Sequence, residues 1–231
     1  MEHGRTDRAG VGGVTFTADP AHVAWFGARI LDAQPSPPQR VLDIGCGDGA
    51  LLRYLADAFP AAMLTGVDLA EGFAPAGRIA FVRGDYLTLD AGRFDLIVAS
   101  SSLQGINATT EAVAAKLARD LAPGGRLMHV TPYRCLYNRA LNTSRRLLRM
   151  MRGSVTDHMI LMTARALHPD QPRAKLVERV DYMYLILRHY EDDLRAALEP
   201  RGLRLDRLEA APHTSPGQPK HRLAVMSAPA R

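Results

Sequence analysis

An α/β fold built on a mostly parallel sheet is the class this sequence predicts, and three observations predict it. Strand and helix signals alternate from Arg40 to Thr131, as they do where a parallel sheet is covered by helices. The first strand runs straight into a glycine turn, Gly45-Cys46-Gly47-Asp48-Gly49, and then into a helix. The chain has 231 residues, 47% hydrophobic and 23% charged, which suits one core of ordinary size. No apolar run approaches the ~20 residues of a membrane-spanning helix.

The elements follow in order. Arg40 to Ile44 is the first predicted strand, and Ala50 to Phe59 is a helix closed by Pro60. Met63 to Asp68, Ile79 to Arg83 and Phe94 to Ser100 are the next strands, the last of them strongly apolar. Thr110 to Leu121 is a helix, and Gly125 to Thr131 is a fifth strand after the breaker Pro123-Gly124-Gly125. The alternation then stops, and helices alone are predicted to about Tyr190. Tyr137, Ala140, Leu141, Ser144, Leu147, Leu148 and Met151 recur at helical spacing, which predicts an apolar inner face with the arginines on the other side. Gly153 is expected to end that helix. Ser154 and Asp157 form a capping box for the next one, which His168-Pro169 terminates. A third helix starts at Arg173, and a fourth runs from Glu191 to Gly202, its acids at the positive end of the dipole. Leu203 to Glu209 and His221 to Met226 are two closing strands, joined by a mobile link from Pro212 to Pro219.

Residues 1–13 are polar and Gly-rich without the pattern of a secretory signal, so a flexible N-terminus and a cytoplasmic location are expected, with one domain over 14–231. Cys46 and Cys135 are too few for a disulfide framework and lack metal-ligand spacing, so no metal is expected. The net charge of +5 rests on arginine, lysine occurring only at 116, 175 and 220. A GC-rich coding sequence would produce that bias without any function. Yet no acid occurs between Asp120 and Asp157, where seven arginines fall, Arg145, Arg146 and Arg149 among them.

The strongest local motif is Val41-Leu42-Asp43-Ile44-Gly45-Cys46-Gly47-Asp48-Gly49. Glycines suit this turn because it needs positive φ and because a ligand must approach the backbone closely. Gly45, Gly47 and Ala50 also satisfy the dinucleotide fingerprint, with Asp68 near the ~20-residue offset of a ribose-binding acid, so a nicotinamide-dependent reductase stands as an alternative. Asp43 argues the other way. A carboxylate there suits a cation such as the amino group of a methionine moiety and repels a pyrophosphate.

Asp43-x-Gly45-x-Gly47-x-Gly49 resembles the first motif of the class I S-adenosylmethionine-dependent methyltransferases, and later segments resemble the same family in order. These are Val67-Asp68, Gly84-Asp85-Tyr86, Phe94 to Ser100, and Leu121 to Leu127. The resemblance implies a Rossmann-like, seven-stranded methyltransferase sandwich with a helical lid, about residues 133–190, inserted after the fifth strand. It implies S-adenosylmethionine as cofactor. Asp43 would hold the amino-acid end beside Gly45, Cys46, Gly47 and Gly49; Asp68 and Leu69 would serve the ribose side. Asp85 and Tyr86 would lie by the adenine, and Ser100 at the methionine end. Ser100 to Ile106 is similar to the small-molecule branch, although Gly105 replaces its usual aromatic residue. Gln104 would fall where that branch often has Gln or His near the transferred methyl.

Methyl transfer from a sulfonium needs positioning and exclusion of water more than it needs a base. Gln104, Tyr133 and His158, with His189, are the candidates for assisting an acceptor. The expected reaction methylates oxygen or carbon of a small, apolar or amphiphilic metabolite. A cofactor-binding protein of this fold that does not methylate is a further alternative. The arginine run would suit an anionic or carrier-bound acceptor or peripheral contact with a membrane, and the nucleobase-type motif is absent, which disfavours nucleic acid.

Overall fold

The computed structural model describes residues 19–71, 73–212 and 217–230. The expected flexible stretch 1–13 lies outside the described residues, as do 213–216 of the link before the last strand. The elements in chain order are α1 (Pro20–Ala33), β1 (Arg40–Ile44), α2 (Ala50–Ala58), β2 (Met63–Asp68), β3 (Ile79–Arg83), β4 (Phe94–Ser100), α3 (Thr110–Asp120) and β5 (Leu121–Pro132). They continue with α4 (Leu136–Met150), α5 (Ser154–Leu167), α6 (Arg173–Met183), α7 (Glu191–Leu198), β6 (Arg204–Ala210) and β7 (His221–Ser227). One seven-stranded sheet has the order β3-β2-β1-β4-β5-β7-β6. β1 to β5 pair in parallel, and β7 runs antiparallel to both β5 and β6.

The central strands are apolar throughout because helices cover both faces. Val41, Leu96, Val98 and Met128 pack with Phe26 and Ile30 of α1 and with Leu52 and Leu55 of α2. The alternate residues Leu42, Ile97, Ala99 and Leu127 pack on the other face with Leu117 of α3 and Leu194 and Leu198 of α7. A one-residue slip of any central strand would exchange these two sets. Gly202, at φ 89°, turns the chain from α7 toward β6.

The strand boundaries of β1 to β4 stand where the sequence predicts them, and four features differ. α1 is an element the alternation did not mark. Its start is nonetheless encoded, since the Asp19 carboxylate accepts from the Ala21 N–H at 3.0 Å and Pro20 occupies the first turn. β5 begins at Leu121, and Pro123-Gly124-Gly125 is an irregularity within its pairing to β4, between the Phe94 and Leu96 positions. A Cβ on Gly125 would stand 2.8 Å from the Ala122 carbonyl oxygen and 3.1 Å from those of Phe94 and Asp95, so the strands approach too closely there for another residue. Gly153 is the N-cap of α5 with φ −172°, and the predicted capping box does not form: no side chain caps this end.

The largest correction concerns α4. Its buried residues are Asn138, Asn142 and Arg145, and the predicted inner face is turned largely outward, with Leu147 57% and Met151 70% exposed. Asn138 donates to the carbonyls of Tyr133 and Lys220 and accepts from the Lys220 N–H. Asn142 donates to the Leu187 carbonyl and the Tyr190 hydroxyl and accepts from the Leu187 N–H. Arg145, fully buried over the Tyr182 ring, donates to the carbonyls of Leu185 and Gly217. The neighbours of α4 are irregular backbone whose polar groups need partners once buried, and a polar stripe supplies them where an apolar one cannot.

Candidate functional site

The carboxyl ends of β1, β2 and β4 open into a cavity of about 1710 Å³, larger than the ~300–1,000 Å³ that one small ligand occupies. Its floor is the turn after β1. Gly45, Gly47 and Gly49 all have positive φ, at 73°, 52° and 75°. A Cβ at Gly45 would collide with the Ser102 side chain, and one at Gly49 with the Phe73 ring. The Gly47 N–H donates to one oxygen of Asp68 and the Ala70 N–H to the other, both at 2.9 Å. Asp68 therefore braces the turn while each of its oxygens keeps a lone pair toward the cavity.

Asp43 lines the same wall, only 2% exposed, and among the described residues its carboxylate has no hydrogen-bond partner. Burial, followed by the nearby Asp68 charge, raises its pKa to about 7. A buried carboxyl without a partner is costly unless a ligand satisfies it. Cys46 is buried, its thiol pushed far up by desolvation and then by Asp43 and Asp68, and Gly66 leaves room for its sulfur. It packs and does not act as a nucleophile. Leu69 is 53% exposed at the cavity edge. Asp85 caps the short turn after β3, one oxygen accepting from the Leu87 N–H. Tyr86 is buried with the Lys116 ammonium 4.7 Å above its ring, so one of its faces is already covered.

Ser100 lies on the cavity wall at the end of β4, its hydroxyl 2.7 Å from Nε2 of His22. His22 also lines the cavity, and burial lowers its pKa, so its imidazole is neutral at physiological pH. Sequence reasoning missed this residue because α1 was not recognised. Ser101, at φ 55° the described non-glycine residue in left-handed backbone, follows, its hydroxyl 3.4 Å from Nε2 of His221 at the start of β7.

The three predicted catalytic side chains are not brought together. Gln104 is fully buried outside the cavity lining, donating to the Ser101 carbonyl. Tyr133 lies under the Arg222 guanidinium, 4.1 Å away, and does not line the cavity. His158 is exposed on the outer side of α5. His189 is buried between Thr110 and the Ile106 carbonyl. Their spacing along the chain carried no information about which way α5 and the turn after β4 would face.

The opposite wall comes from the three-helix insertion between β5 and α7, with Leu148, Ile160, Leu167, Met183, Leu185 and Ile186 on it. Of the predicted arginine cluster, Arg149 reaches the cavity. Arg145 is the buried stripe residue already described, and Arg146 is exposed away from the cavity.

Residues 21–170 match the model of a family described as a methyltransferase domain. Over 106 residues the chain is 38% identical to a malonyl-[acyl-carrier protein] O-methyltransferase of Geobacter sulfurreducens, covering 42% of this chain and 39% of the relative. Over 117 residues it is 36% identical to a trans-aconitate 2-methyltransferase of Streptomyces avermitilis, covering 46% and 43%. The matches thus span about two fifths of the length of these curated relatives. Among solved structures, the fold is similar to the N-methyltransferase NodS of Bradyrhizobium japonicum, with a TM-score of 0.57, 18% identity, and 91% and 98% of the two chains covered. It is also similar to the magnesium protoporphyrin IX methyltransferase of Synechocystis with bound S-adenosylhomocysteine, with a TM-score of 0.55, 19% identity, and 89% and 81% covered.

Proposed function

We propose an activity from one premise: this chain belongs to the methyltransferase domain family, and we read it as a class I, S-adenosylmethionine-dependent member. It transfers a methyl group from S-adenosylmethionine to oxygen or carbon of a small, apolar or amphiphilic metabolite. The observation that carries the reading is Asp43, a nearly fully buried carboxylate without a hydrogen-bond partner among the described residues, set beside a glycine turn on the wall of the large cavity. A cationic amino group satisfies it; a pyrophosphate does not, which disfavours the nicotinamide alternative.

When bound, the cofactor supplies an electrophilic methyl on a sulfonium. The chain's own residues then bind and orient. Asp43 takes the amino group, Gly45, Cys46, Gly47 and Gly49 give the backbone clearance, and Asp68 offers its remaining lone pairs to the ribose. Leu69 borders the ribose side, Asp85 flanks the adenine side with one face of Tyr86, and Ser100 with His22 faces the methionine end. Residues 133–190 act as a lid that excludes water within a single domain over 14–231.

Names of relatives include both a free acid and an acyl-carrier-bound acid as acceptors, which supports an acceptor presented free or on a carrier. The exposed outer face of α4, where Leu136 is 83% and Met150 84% exposed, supports peripheral contact with a membrane. Among the described residues no helix is long and apolar enough to cross one. The two free thiols agree with a cytoplasmic location. Calorimetry with S-adenosylmethionine, S-adenosylhomocysteine and NADH tests the assignment. Binding of both sulfur nucleosides and not NADH is expected; the reverse pattern overturns it.

A further inference from the structure

We propose that the acceptor half of the cavity is a binding site for a carboxylate at the end of an apolar chain, received by Arg149 and Arg188. This deepens the reading above and rests on it for the word acceptor, though the site itself is argued from the charges that line the cavity.

The lining is electrically divided. Its carboxylates are Asp19, Asp43, Asp48, Asp68 and Asp85, all on α1 or around the ends of β1 to β3. From residue 101 onward the described lining holds no acid, and its arginines are Arg149 and Arg188. The same part of the lining carries the apolar Ile160, Leu167, Met183 and Ile186, along with the neutral polar Thr156, Thr163 and Gln171. Both arginines are exposed, and a guanidinium fork suits the two oxygens of a carboxylate.

Among the described residues neither arginine is committed to an anion. Nearby cations are engaged: Arg134 bonds Asp193 with two nitrogens and Arg152 bonds Asp181, while Arg145 holds two neutral carbonyls. Arg149 and Arg188 have no ion pair or side-chain hydrogen bond among the described residues.

Both sit on backbone that is pinned. Arg149 extends the α4 stripe 138, 142, 145 by one more turn, onto the face that Asn142 and Arg145 hold inward. The Arg188 N–H donates to the Gln104 carbonyl at 2.9 Å, and Leu187 before it is bonded in both directions by Asn142. Asn142 thus ties the element carrying one cation to the segment carrying the other, so less backbone has to be ordered when both are engaged.

The experiment titrates decanoate and its neutral analogue decanamide into the full chain, with and without S-adenosylhomocysteine. The expected result is decanoate at least tenfold tighter than decanamide, with the preference lost in the R149Q/R188Q double variant and kept in R146Q. S-adenosylhomocysteine affinity should stay within about twofold across all variants. Equal binding of the two probes by the unaltered chain, failure of decanoate to bind, or a preference that survives the double substitution would overturn the site. That first comparison needs no variant, so a double variant that fails to fold leaves the answer available. A carboxylate preference without S-adenosylhomocysteine binding would overturn the methyltransferase reading and leave the anion site standing.

Discussion

Asp43 is an acid held out of water, and its titration can be read from outside. Its folded pKa of about 7 stands above the ordinary carboxylate value because burial, then Asp68, disfavour the charge. Between pH ~4 and ~7 the folded chain keeps a proton that the unfolded chain has released, so this group's contribution to stability falls as pH rises through that window. Asp43→Asn should remove that slope in denaturant melts. A cationic ligand favours the ionised form, so affinity for S-adenosylmethionine should rise from pH 6 to pH 8. Calorimetry showing the same pH dependence in the D43N variant would refute the assignment. Gly45 offers a second test at this scale. Gly45→Ala meets positive φ and a collision with Ser102, whereas Gly77→Ala meets positive φ, at 58°, with nothing within 4 Å. The second carries strain alone, about 1–2 kcal/mol, and the first should in addition weaken cofactor binding more than tenfold. The cofactor residues were legible because the turn that places them is local in sequence. Gln104, Tyr133 and His158 were not, since tertiary packing alone decides where those side chains point.

On α4 the sequence was read with the wrong face inward, and the reason is physical. A helix that packs on a sheet needs apolar residues, but α4 packs on irregular backbone near 133, 185–187 and 217–220, where carbonyls and N–H groups must be satisfied. Arg145→Leu should therefore destabilise by about 2–4 kcal/mol by leaving two buried carbonyls unpaired, a fall in melting temperature on the order of 5–10 °C at this size. Arg146→Leu, one residue on and exposed, should stay within about 0.5 kcal/mol. Equal effects of the two would contradict the stripe. α5 makes a different prediction. Among its described residues none is buried, so little burial opposes its opening. Its amides should exchange with solvent faster than those of α7, and decanoate bound at the cavity should slow them. Exchange as slow as in α7 without any ligand would show that α5 is not a movable wall.

At the scale of the whole molecule, alternating apolar strands and breakers were enough to place β1 to β4 and the two closing strands, because each buried strand encodes its own burial. α1 escaped because it stands before the alternation begins, and with it went His22, whose partner Ser100 lies 78 positions away. Strand order also has a consequence in time. β7, the last strand in sequence, lies inside the sheet between β5 and β6. A chain emerging from the ribosome at about 5–20 residues per second presents β5 with its outer edge unpaired while about ninety further residues are made, roughly 5–20 s. During that interval the most apolar part of the sheet offers a free row of N–H and C=O groups to any neighbouring nascent chain, a hazard that ends when residues 221–227 arrive to close it.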